Sequence, residues 1–273
     1  MRYFGGNLLQ SFRTWIKQRP GLRKLALFLI RLAEPFGGLR DISALWRYPG
    51  FLVDWLRFKR LGGKAPWLEF YPCLYDRTAS TGIDSHYFYQ AIWGFKHIMR
   101  AHPSQHVDIG SDVRWVGMLT CITRVAFIDI RPLDLRLDGY EGKAGSILDL
   151  PYPDNSLESI SSLHVIEHIG LGRYGDPLNP DGSDKAVAEL KRVLAPGGRL
   201  YLSVPIGETR VQFNSQRVFS VTDVLDMCVG LRLQELSIVT TGGEFVERVD
   251  PRNIDLGKGH GLDYGLGLFI FSA

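Results

Sequence analysis

Three ionisable side chains, His164, Glu167 and His168, fall within five positions directly after the run Ser159-Ile160-Ser161-Ser162-Leu163. Imidazole titrates near neutral pH, so a histidine beside a hydroxyl can take its proton as the oxygen attacks an electrophile. His168 is the first choice for that base and His164 the second, with Glu167 the acidic neighbour of both. Glu167 and His168, completed by His164 or Asp176, also carry donors that a divalent ion accepts. Carboxylate and imidazole together suit magnesium or manganese only in part, so no metal is expected.

Two upstream segments suit a nucleoside. Val107-Asp108-Ile109-Gly110-Ser111 is an apolar run that ends at a glycine, where backbone can approach a ligand with no Cβ between. Asp108 can orient that turn. No GxGxxG follows, so a dinucleotide phosphate site is not expected; Ser111-Asp112-Val113-Arg114 stands where further glycines would be. Asp129 closes the next apolar run, and one carboxylate at a strand end can accept from both hydroxyls of a ribose. A third run, Ile147-Leu148-Asp149-Leu150-Pro151, repeats the pattern.

Downstream, residues 170–183 are too polar and glycine-rich for core. They read as a substrate-facing loop carrying Arg173, Tyr174 and Asp176. Arg210, Asn214 and Arg217 could contact a sugar or phosphate. His260 sits among flexible glycines, in a lid or a hairpin loop.

These residues need elements to hold them. Apolar runs at 105–109, 124–130, 145–148, 159–164, 199–204, 233–240 and 266–271 read as seven strands. Helical patterns lie at 113–122, 184–194 and 221–229, and Asp84 or Ser85 caps another that runs to Ala101. Its aromatics Tyr87, Phe88, Trp93 and Phe95 are expected mostly in the core, though Tyr87 could also line a pocket. Such alternation gives a doubly wound, mainly parallel α/β sheet. The boundary falls near 62–66, so residues 65–273 form the α/β domain and residues 1–64 an amphipathic, helical extension, with a short helix at 51–60.

Charge separates the same two parts. Residues 1–64 hold 13 Lys/Arg and 3 Asp/Glu, net +10; the remainder holds 19 and 26, net −7. A basic arm of that kind is drawn to anionic surfaces. Trp15, Leu25, Phe28, Leu29 and Ile30 among its charges suit a helix lying in a membrane interface, or one packed on the domain. No apolar run is long enough to span a membrane, and no cleaved leader is expected. Nucleic-acid-binding signatures are absent. Cys73, Cys121 and Cys228 lack metal or disulfide spacing and read as core thiols of a reducing compartment.

In order and spacing, the motifs of residues 107–205 resemble class I S-adenosylmethionine-dependent methyltransferases. More narrowly, residues 162–219 resemble an uncharacterised methyltransferase-like family, the domain of unknown function DUF268. The matching residues are Ser162-Leu163-His164-Val165-Ile166-Glu167-His168-Ile169-Gly170-Leu171-Gly172-Arg173-Tyr174-Gly175-Asp176-Pro177, then Ser203-Val204-Pro205, Arg210-Val211, Phe213-Asn214 and Arg217-Val218. The likeness covers roughly residues 65–273. It implies a Rossmann-like sheet whose last strand is antiparallel, with S-adenosylmethionine as cofactor. It also implies that Asp108 accepts from the methionine ammonium beside Gly110 and Ser111. Asp149 would then accept from the adenine amino group, and the Leu150 N–H would meet an adenine ring nitrogen. Bacterial relatives accompany surface-polysaccharide enzymes, which implies O-methylation of a glycan or glycolipid hydroxyl. The expected place is the cytoplasm, with peripheral contact at the inner membrane face through residues 1–60. The alternative, favoured by the missing glycines, is a non-catalytic accessory protein of the same fold that binds the cofactor or a glycan-assembly partner.

Overall fold

The computed structural model describes residues 43–254 and 263–273, together with Leu29. The chain divides into two compact units, residues 1–82 and 83–273. The expectations for residues 1–42 lie outside the described residues.

In the first unit, helix α1 (Ser43–Arg60) begins eight residues before the helix read from the sequence. Pro49 hid that first part, because proline withholds an N–H from the helix interior. Phe51 and Trp55 set their rings edge-on to Phe70, with centroids 5.1 and 5.0 Å away. Trp55 Nε1 donates to the Ala65 carbonyl at 2.8 Å and Arg47 to that of Leu74 at 3.0 Å.

The second unit is built on one sheet. Its strands are β1 (Gln105–Ile109), β2 (Arg124–Asp129), β3 (Tyr140–Ala144), β4 (Leu157–Leu163), β5 (Leu194–Ile206), β8 (Arg232–Val239), β9 (Phe245–Val246) and β10 (Gly265–Ser272). They lie in the order β3-β2-β1-β4-β5-β10-β8-β9. The first five in that order are parallel, whereas β10 runs antiparallel to both β5 and β8. Strands β6 (Arg210–Gln212) and β7 (Gln216–Val218) make a separate hairpin.

Two strand readings change. The sheet has eight strands rather than seven, because the short β9 pairs with β8. The third strand is Tyr140–Ala144 and not 145–148. It is a polar edge strand with no apolar alternation, so its signal passed to the more apolar turn behind it. At Gly145 a Cβ would stand 2.7 Å from Ile128 Cγ2, so the turn closes against β2.

Successive residues of a strand point to opposite faces, and β1 and β2 use both. On one face Val107, Ile109, Ala126 and Ile128 pack with Ala186, Val187 and Leu190 of α4 (Gly182–Val193) and Val224 of α5 (Val221–Met227). On the other, Val125 and Phe127 pack with Trp93 and Ile98 of α2 (Ser85–Ala101) and with Trp115 and Leu119 of α3 (Val113–Leu119). Asp84 caps α2 by accepting from the N–H groups of His86 and Tyr87. Of the α2 aromatics only Trp93 is buried; Tyr87 and Phe88 are exposed at the first turn and Phe95 is half-buried. Among the cysteines only Cys228 is buried, so Cys73 and Cys121 are not core thiols.

Candidate active site

The chain leaves β1 to build β2 and β3 on one side, then returns to lay β4 on the other. Ligands of open α/β sheets bind beyond the carboxyl ends of the strands at such a switch. A cavity of about 510 Å³ lies there, lined from β1 by Ile109 and Gly110, from β2 by Ile128 to Arg131, from β3 by Gly145 to Leu148, and from β4 by His164 and Val165. Gly110 has φ +69°, and a Cβ on it would meet Val165 Cγ1 at 3.2 Å and Asp129 Oδ2 at 3.6 Å. Any larger residue would be strained and would fill the floor. Asp129 accepts from the Arg131 N–H through Oδ1 at 2.7 Å, while Oδ2 faces Gly110. Ile130, Ile147 and Leu148 give the far end apolar walls.

Several residues expected at the cofactor stand elsewhere. Asp108 is fully buried and does not line the cavity. It accepts from Ser111 N at 3.1 Å, from Trp115 Nε1 at 3.0 Å and from Ser161 Oγ. Burial pushes its pKa up, and those donors push it back. His106 joins the same layer, between Ser159 and Ser161 at 2.7 and 2.8 Å. Ser111 Oγ accepts from Leu163 N at 3.0 Å and so ties the turn to β4. Asp149 is exposed and outside the lining. The Leu150 N–H is already donated to Glu189 at 2.7 Å.

A second cavity, about 400 Å³, is lined by the first turn of α2 (Ser85, His86, Tyr87), by Arg173 and Gln216, and by Tyr264 before β10. Ile83 and Asp84 complete it, with His164, His168 and Tyr174, which line the first cavity as well. Three side chains therefore separate an apolar chamber from a polar one.

The two histidines differ. His164 Nδ1 lies 2.7 Å from Glu167 Oε1, and the glutamate is fully buried. A carboxylate only accepts, so Nδ1 is the nitrogen that donates, and in the neutral ring Nε2 then holds the lone pair. That Nε2 is buried with no hydrogen-bond partner. His86 stacks 5.7 Å from His164, and Tyr87 at 5.2 Å. His164 has φ +58°, strained for a residue with a Cβ, and its N–H is held by Ser203. His168 instead bonds through Nδ1 to the Ser215 carbonyl at 2.7 Å, and its Nε2 stands 3.8 Å from Glu167 Oε1. Arg173 Nη1 also lies 3.3 Å from that Nδ1, but Nδ1 carries its hydrogen towards Ser215, so two donors face each other there. Burial lowers the His168 pKa against the pull of Glu167. Burial and neighbouring His164 take His86 down to about 4. Among the described residues no group of three or more His, Cys, Asp or Glu could hold a metal.

Of the residues expected at the substrate, Arg173, Tyr174 and Asp176 line a cavity. Tyr174 lies under the Arg131 guanidinium at 4.4 Å and the Arg173 guanidinium at 5.1 Å. Asp176 accepts from the N–H groups of Gly170, Gly172 and Tyr174, which shapes the loop. Burial opposes its ionisation, but these backbone donors together hold its pKa low. Arg217 is buried and fastens the same loop: it donates to the carbonyls of Ile169, Asn179 and Pro180 and to Ser183 Oγ. Arg210 donates to the carbonyls of Glu208 and Asp263, and Asn214 turns the β6–β7 hairpin at φ +61°. None of these three lines either cavity. His260 lies outside the described residues.

Sequence reading missed His86, Gln216, Tyr264 and Arg131. The helix cap at Asp84 was the available signal for His86, since it places the next two side chains at the helix mouth. No local pattern marks the other three.

An antiparallel strand inserted between β5 and β8, with a cavity at the β1/β4 switch, is the Rossmann-like arrangement that the resemblance to class I S-adenosylmethionine-dependent methyltransferases implied. Residues 150–240 match the family described as "Caenorhabditis protein of unknown function, DUF268", and over that stretch the chain is similar to it. No curated protein matches the chain. Among solved structures it is similar to the YcgJ protein of Bacillus subtilis, at 14% identity over 68% of this chain and 98% of that one, with a TM-score of 0.48. It is also similar to the N-methyltransferase NodS of Bradyrhizobium japonicum, solved with S-adenosyl-L-homocysteine, at 16% identity over 69% and 87% of the two chains, with a TM-score of 0.46. At such identity these are likenesses of fold.

Proposed function

We propose that the chain is an S-adenosylmethionine-dependent methyltransferase that O-methylates a sugar hydroxyl of a glycan or glycolipid, with His164 as the base. The observation that carries this reading is His164 on the wall common to both cavities, with the buried Glu167 bonded to it from behind. Strained backbone at His164 adds to it, because such strain persists where surrounding structure over-determines it, often at functional sites.

The first cavity suits the cofactor at its nucleoside end. Asp129 supplies acceptors for a ribose, Gly110 the close backbone, and Ile130, Ile147 and Leu148 a slot for a flat base. The fit is weaker at the methionine end, since Asp108 spends its oxygens on Ser111, Trp115 and Ser161. Bound S-adenosylmethionine would supply an electrophilic methyl group on a sulfonium whose sulfur departs as a neutral thioether. Tyr87, His164, His86 and Tyr264 form one stack, so the outer faces of Tyr87 and Tyr264 are those left for a pyranose in the second cavity. Gln216 Nε2 is spent on Gln212 and Tyr264, which leaves its Oε1 as an acceptor and Arg173 as a donor for the sugar hydroxyls. As the acceptor oxygen forms its bond to carbon, its proton passes to His164 Nε2. Glu167 holds the opposite nitrogen and stabilises the imidazolium. Holding both partners in line supplies much of the acceleration.

Calorimetry with S-adenosylmethionine and S-adenosylhomocysteine, followed by transfer of labelled methyl to glycan acceptors, tests this. Cofactor binding without transfer to any hydroxyl acceptor would return the chain to the accessory reading.

A further inference from the structure

Helix α1 carries two apolar faces, and the first unit uses one of them. Phe51 and Trp55 pack on Phe70. On another side Leu45, Leu52 and Leu56 recur at spacings of seven and four, flanked by Trp46 and Val53. At about 100° per residue these five occupy one arc of about 120°. All five are exposed, Leu45 by 59% and Trp46 by 84%. Lys59 and Arg57 stand at the two edges of the arc and Arg60 within it. Its one acid, Asp54, lies on another side and pairs with Arg77 at 2.8 Å and, at 3.8 Å, with Arg57.

We propose that this face of α1 is a surface for anionic lipid, laid flat in a bilayer interface with Leu45, Trp46, Leu52, Val53 and Leu56 among the acyl chains and the basic residues at the headgroups. Charge complementarity selects the occupant. A stripe of leucine and tryptophan edged by cations, with no acid in it, matches an interface whose headgroups are anionic. The segment around it reinforces the field, since residues 1–64 carry a net +10. A second copy is disfavoured, because a two-fold contact would set the same cations against themselves. Insertion across the bilayer is not the mode: among the described residues no helix is long and apolar enough to cross. The proposal is independent of methyl transfer.

The test is flotation of the full-length protein with phosphatidylcholine vesicles, with and without phosphatidylglycerol. Binding is expected only with the anionic lipid and should weaken as salt is added. Leu52→Glu with Leu56→Glu, on exposed positions, should lower the partition at least about tenfold, and Arg57→Glu with Arg60→Glu by a similar factor. Leu137→Glu with Val229→Glu, exposed changes far along the chain, match the net charge of the leucine variant and should bind as the parent does. Thermal melts of each variant check that the fold is intact. Retained binding by both α1 double variants overturns the proposal. So does equal binding to uncharged vesicles, or no binding at all. If the leucine variant instead breaks up a dimer seen by size exclusion, the face belongs to a second copy and the proposal falls.

Discussion

The two cavities that meet at His164 are built from opposite materials. The first is walled by Ile109, Ile128, Ile130, Ile147, Leu148 and Val165 with Asp129 as its polar group on β2; the second by Ser85, His86, Arg173, Gln216 and Tyr264. Strand ends supply most of the first wall, closed by residues of the 168–177 segment, and helix starts, loops and a hairpin the second. Strand ends are fixed by the ladder on either side, so their geometry belongs to the fold. Loops vary freely, so the proposed function gives the chemistry of the acceptor to the second cavity. In the proposed function the cofactor therefore sits against the part that the sheet dictates, and the acceptor against the part that it leaves open.

The sharpest way to break this division is at the shared wall. His164→Ala should lower turnover by roughly 10²–10⁴-fold with cofactor affinity nearly unchanged, read by single-turnover kinetics and calorimetry. His168→Ala should cost less, because its Nδ1 is spent on Ser215. An equal or greater loss at His168 would reverse the assignment.

A smaller effect belongs to the first cavity alone. Asp129→Ala should weaken cofactor binding by about tenfold to a hundredfold, since a charge-assisted hydrogen bond contributes roughly 1.5–3 kcal/mol. Unchanged affinity in a folded variant would take Asp129 out of the site.

Two arginines sharpen the boundary of the second cavity. Arg217→Ala should cost about 2 kcal/mol of unfolding free energy in urea, because it strands the carbonyls of Ile169 and Pro180, while that of Asn179 keeps the Gly182 N–H. Arg173→Ala should leave stability alone and raise KM severalfold. The reverse pattern would mean that Arg217 serves substrate and Arg173 the fold.

The smallest effect is on acid stability. His86 is drawn down to about 4 and His106, buried by the β4 serines, to about 3. An unfolded histidine titrates near 6.5. Between about 6.5 and those lower values the unfolded chain binds protons that the folded chain does not, so stability rises with pH across that window and falls as the solution is acidified. His86→Gln should shrink the loss between pH 7 and pH 5; an identical slope in the variant would mean that its proton is not coupled to folding. The groups facing His86 are His164, Tyr264, Asp84 and Glu167.

Much of the frame was legible because burial leaves periodic traces. The parallel strands before Gly110 and Asp129 are continuous apolar runs, and both residues do line the cavity. Strand β3 was not legible, since an edge strand has no buried face to write into its sequence. Nor was Asp108: the residues that occupy its oxygens, Trp115 and Ser161, lie on other elements.

The alternating α/β order, the glycine at the first turn, the acid at the end of β2 and the cluster His164-Glu167-His168 are all written along the chain. Each is a local matter of residue type at a chain position. Only the tertiary structure decided which histidine keeps a buried, unbonded nitrogen, which arginine braces a loop and which residues form the second chamber. Those outcomes depend on partners far along the chain, Ser215 for His168 and Tyr264 for His86, and a hydrogen bond is decided by distance in space rather than separation in sequence.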